Sequence, residues 1–186
     1  DTIQGISGAS NSSIEGVILY AIDYPTYNYV GFINNIRINR CNINGMFMGL
    51  GMTNHMIIDN CIIYSQLQYG ASSRNLILSN NIIIVHPNRP VFHGFNDSPT
   101  HTLCYNNIFM GENSTSSLIV GPTKRIIFNN NIFHGMKISD PFGNQTPFEI
   151  CDWNNNLSYG FITPISFPID INNNSGANNL EGVDPL

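Results

Sequence analysis

Six ten-residue segments of the chain superpose without internal gaps: IRINRCNING (36–45), MIIDNCIIYS (56–65), LILSNNIIIV (76–85), TLCYNNIFMG (102–111), IIFNNNIFHG (126–135) and CDWNNNLSYG (151–160). Each opens with two mainly apolar columns spaced by two residues. One reads Ile36, Met56, Leu76, Thr102, Ile126, Cys151; the other reads Ile38, Ile58, Leu78, Cys104, Phe128, Trp153. A period of two puts both columns on one face of a strand, the face turned to the interior. After a polar interruption, Ile43, Ile63, Ile83, Phe109 and Phe133 resume the lining. The pattern predicts strand, tight turn, strand. A third apolar stretch follows at 47–50, 67–69, 91–95 and 118–120, closed by Gly51, Gly70, Gly94 and Gly121 where the chain must bend.

The polar interruption carries a column of its own: Cys41, Cys61, Asn81, Asn107, Asn131 and Asn156, with a weaker seventh member at Asn174. Asparagine suits such a place because it tolerates left-handed backbone and its amide both donates and accepts. If coils stack about 4.8 Å apart, identical amides one above another bond along the stack as a ladder. Cys41 and Cys61 would lie within disulfide reach, but side by side in an apolar interior they are expected to stay as thiols. Three short strands per repeat, closing on themselves coil after coil, is an all-β solenoid.

The apolar-x-Asn-Asn-x-apolar unit in LSNNII (78–83), CYNNIF (104–109) and FNNNIF (128–133) resembles right-handed parallel β-helix repeat proteins of the pectate-lyase-like superfamily, over roughly residues 32–178. The resemblance implies a single right-handed parallel β-helix domain over 1–186 with about seven or eight coils, of a secreted, bacterial kind. Residues 1–31 are then an irregular first coil. Residues 179–186 look like a closing segment that usually continues, so a longer polypeptide is expected.

Composition changes this picture little. The chain has 186 residues, of which 42% are apolar and only 10% charged; 29 are asparagine and 28 isoleucine. High apolar content with a net charge of −5 argues against disorder. Residues 1–135 are electrically neutral, and the acidic excess lies in 136–186. No basic tract favours nucleic acid, and no apolar run reaches the roughly 18 residues of a membrane helix.

Candidate chemistry gathers at one corner. At the start of the first strand one column reads His55, Asn75, His101, Arg125, and the column beside it reads Asn54, Arg74, Thr100, Lys124. Stacking would bring Arg74, His101, Lys124 and Arg125 together. A base with nearby cations is what a lyase of acidic polysaccharides needs. His93, Asn96 and Asp97 follow the excursion 86–90 in the longest coil and join Arg74, His101 and Arg125 as candidate ligand-binding residues. Tyr64, Tyr69, Phe92, Phe95 and Tyr105 are aromatics that could stack on sugars. No cofactor is expected, and calcium has only Asp97, Glu149 and Asp152 as weak candidates.

Two further columns should face outward yet are aliphatic: Ile57, Ile77, Leu103, Ile127 between Arg37 and Asp152, and Ile62, Ile82, Ile108, Ile132, Leu157. Such stripes are expected to meet another part of the same polypeptide or a docking protein. The expected function is a non-catalytic extracellular or cell-surface scaffold or adhesion module contacting glycans. The competing expectation is a polysaccharide lyase or glycoside hydrolase with its site only partly in this segment.

Overall fold

A computed structural model describes residues 11, 13–16, 18–20, 33–44, 47–48, 53–64, 67–69, 74–87, 91–94, 102–112, 116, 119–120, 126–136, 151–159 and 179–181. The described chain is all-β, with no helix, and its strands form three stacks. The first sheet runs Ser13–Glu15, Ile33–Asn39, Thr53–Asp59, Arg74–Ser79, Thr102–Tyr105, Ile126–Asn129, Cys151–Asn154. The second runs Ile18–Tyr20, Asn42–Asn44, Ile62–Tyr64, Ile82–Val85, Ile108–Gly111, Ile132–His134, Leu157–Tyr159, Leu180–Glu181. The third holds Phe47–Met48, Leu67–Tyr69, Phe92–Gly94 and Ile119–Val120. Every paired strand runs parallel to its neighbour one repeat away, and the chain visits the sheets in turn, as in a β-helix or solenoid.

Register follows the sequence columns. Met56 pairs with Ile36 and Leu76, and Thr102 with Leu76 and Ile126. Ile38, Ile58, Leu78, Cys104, Phe128 and Trp153 are all buried in one column. A slip of one residue would turn every one of them outward, which is why the register is fixed by burial. Toward the later coils the core becomes aromatic. Phe109 stacks on Phe133 with centroids 4.9 Å apart, and Phe128 on Trp153 at 4.3 Å. Phe128 also meets Phe133 edge-on at 5.6 Å, so the two stacked pairs interlock.

The two asparagines of each turn divide the work. The first takes left-handed backbone: Asn60, Asn80, Asn106, Asn130 and Asn155 have φ between 54° and 57°, and Arg40 occupies the equivalent place at 53°. The second is buried and builds the ladder. Asn81 donates from Nδ2 to Ile58 O at 2.9 Å and to Asn107 Oδ1 at 3.0 Å, while its own Oδ1 accepts from Cys61 N at 2.9 Å. Asn107, Asn131 and Asn156 repeat the arrangement. Each amide thus satisfies buried groups that would otherwise cost about 1–3 kcal/mol apiece.

The ladder continues to Asn179, whose Oδ1 accepts from Asn156 and whose Nδ2 donates to Trp153 O at 3.0 Å. This differs from the sequence alignment, which put the seventh member at Asn174. The triplet Asn172–Asn173–Asn174 mimics the motif, but the strand Leu180–Glu181 that pairs with Leu157–Tyr159 begins after Asn179. The last repeat is therefore 23 residues long, close to its predecessors.

Candidate functional site

Arg74 opens its strand and pairs with Asn54 one repeat away. His93 lies in the third sheet between Gln68 and Val120. The remaining candidates, Asn96, Asp97, His101, Lys124 and Arg125, lie outside the described residues, as do Phe95 and Glu149. The described part of that corner is a polar kink. His55 and Asn75 have left-handed φ of 61° and 56°, and Asn75 Nδ2 lies 3.5 Å from His55 Nε2. The same kink recurs upstream at Asn35 and Asn11, where Asn35 Nδ2 donates to Asn11 Oδ1 at 2.8 Å. Asn35, His55 and Asn75 thus serve a left-handed kink just inside the start of their strands.

The ladder residues are occupied with structure. Cys61 stands where later coils have an asparagine. Its Sγ accepts from Cys41 N at 3.4 Å, as an amide oxygen would, and its single S–H has Asp59 O at 3.2 Å and Ile38 O at 3.7 Å as acceptors. Cys41, Cys61 and Cys104 are thiols. Burial pushes the Cys61 thiol up to about 11. A thiol held neutral and enclosed is poorly placed to act as a nucleophile.

Ionic contacts among the described residues are few. Arg37 grips Asp59 in bidentate fashion, Nε to Oδ1 at 3.1 Å and Nη2 to Oδ2 at 2.7 Å. The hydrogen bond and the charge of Asp59 both raise the Arg37 pKa. His86 Nδ1 lies 2.9 Å from Glu112 Oε2. Beside it, Pro87 and Ser116 form an isolated bridge, and Ser116 Oγ donates to Val85 O at 2.7 Å. This clasp between two long coils was not singled out from the sequence. The successive repeat lengths of 26 and 24 residues were its only signal.

Aromatic candidates separate. Phe92 is fully buried against Phe109 and Phe128, which removes it from any sugar-stacking role. Tyr64 is exposed, and the His134 ring lies 4.5 Å from Tyr159 on the same outer face of the second sheet. One column of that face is aliphatic apart from exposed Asn42: Ile18, Ile82 and Leu180 are exposed, Ile62, Ile108, Ile132 and Leu157 half-buried, in register. Its second column passes through Asn44, Tyr64, Ile84, Met110, His134 and Tyr159. Neither column holds a lysine, arginine, aspartate or glutamate among the described residues. Among those residues no group of three or more His, Cys, Asp or Glu could hold a metal ion, and no helix is long and apolar enough to cross a membrane.

No family model matches the chain, and no curated protein or solved structure matches it either.

Proposed function

We propose that this chain is a segment of a right-handed parallel β-helix of the pectate-lyase-like type, with seven or eight coils, serving as a non-catalytic scaffold or adhesion module outside the cell. The observation that carries this reading is the charge-free outer face of the second sheet, continuous from Ile18 to Leu180. A catalytic surface for acidic polymers would need cations or carboxylates aimed at one place. Here the described asparagines instead serve turns, kinks and the interior ladder. The flat apolar face, with Tyr64 and Tyr159 along it, suits contact with extracellular polymers such as glycans.

Two assays on one protein sample test the proposal. Affinity electrophoresis against neutral and acidic polysaccharides should show retardation that Ile82→Lys and Tyr64→Lys abolish. Incubation with the acidic members should give no absorbance from unsaturated products. Product formation lost in both Arg74→Ala and His101→Ala would replace this reading with a polysaccharide lyase.

A further inference from the structure

The outer face of the first sheet carries a different message from that of the second. Its central column reads Ser13, Arg37, Ile57, Ile77, Leu103, Ile127, Asp152, one residue per strand and paired in register throughout. After the small Ser13, a cation stands near one end and an anion at the other, with half-buried aliphatic side chains between them. Read backwards, its six positions from Arg37 to Asp152 are their own complement. We infer that this face is the interface of a two-fold symmetric dimer, in which Arg37 of each copy meets Asp152 of the other.

The symmetry is restrictive. A face-to-face pair with a two-fold axis lying along the strands, between the repeats of Ile77 and Leu103, sets the coil stacks antiparallel. Arg37 then faces Asp152, Ile57 faces Ile127, and Ile77 faces Leu103, with each contact made twice as an isologous interface requires. In the neighbouring column Asp59, buried beneath Arg37, would lie opposite Asn129, and Glu15 falls beyond Asn154, so no like charges meet. The alternative axis, along the coil stack, would set Arg37 against Arg37 and Asp152 against Asp152. Like-charge contacts of that kind disfavour it.

The charged groups are available for this role. Asp152 is exposed and makes no ion pair among the described residues. Arg37 binds its own Asp59 through Nε and Nη2, leaving Nη1 outside that pair and the guanidinium held in place. Six strands at about 4.8 Å spacing and three outward columns give a face of about 24 Å by about 20 Å, roughly 500 Å² per copy. Two such faces bury roughly 1,000 Å², the range of weak, reversible association rather than a permanent dimer.

This inference goes beyond the scaffold reading and uses a different sheet, so either can fail alone. Sedimentation velocity over a wide concentration range, up to millimolar protein, should show a monomer–dimer equilibrium that weakens with salt. Asp152→Arg, at an exposed position, should weaken it at least tenfold while circular dichroism and thermal melting stay unchanged. Mixing Asp152→Arg with the Arg37→Glu/Asp59→Asn variant should restore a heterodimer, because both ends of the pair are then complementary. The Asp59→Asn change removes the like charge that a carboxylate at position 37 would otherwise meet. A single-chain mass at every concentration, or a dimer indifferent to Asp152→Arg, would overturn the proposal.

Discussion

The Asn107 amide donates to Asn131 Oδ1 at 3.1 Å and to Leu78 O at 2.9 Å, while its own oxygen accepts from both the backbone and the side chain of Asn81. One side chain therefore ties three repeats together. Removing it leaves several enclosed polar groups without partners at once. Asn107→Ala should cost about 3 kcal/mol, read as a lowered urea midpoint with an unchanged slope.

The preceding residue should behave differently. Asn106 is exposed, with φ at 57°, and its backbone conformation matters more than its side chain. Asn106→Ala should cost about 1 kcal/mol and Asn106→Gly close to nothing. Equal losses for both substitutions would show that the amide, not the left-handed turn, is what the position needs.

Alkaline stability should report on Cys61. Its folded-state value near 11 lies above the ordinary 9.0, because burial penalises the thiolate. A raised value means the neutral thiol's contribution is fully present below pH 9.0 and is lost as pH rises through about 11. The difference in urea midpoint between the parent protein and Cys61→Ala should be constant below pH 9.0 and shrink toward pH 11. Alkylation of Cys61 by iodoacetamide at neutral pH should require unfolding.

Gly111 occupies a close approach between neighbouring coils. A Cβ added there would lie against the carbonyl oxygen of Gly135, just past the neighbouring strand Ile132–His134 of the second sheet. Gly111→Ala should force the two strands apart and lower the melting temperature clearly. Gly16→Ala meets no such obstacle and should show only the smaller cost of its left-handed backbone, φ 70°.

Much of the fold was legible because its columns are one-dimensional. Ile38, Ile58, Leu78, Cys104, Phe128 and Trp153 line one interior column by spacing alone, and the strand register reproduces that column. The end of the ladder was less legible, since Asn172–Asn173–Asn174 and Asn178–Asn179 are equally good motifs on paper. Only the hydrogen bonds of Asn179 to Asn156 and Trp153 decide between them. Of the candidate site, the sequence showed where basic residues align. It did not show that His55 and Asn75 sit in left-handed kinks, because backbone φ depends on how the chain enters the sheet.

By itself the sequence determined the repeat, the alternation of inward and outward columns, and the identity of the ladder from Cys41 to Asn156. These follow from strand periodicity, a local property. The tertiary structure alone decided which partners each amide bonds, that the Cys61 sulfur accepts from Cys41 N as an amide oxygen would, and that Phe92 is core rather than surface. It also set Arg37 on Asp59, 22 residues away in the chain. Such contacts join separate repeats, and repeat length varies enough that sequence distance does not fix what lies one coil above.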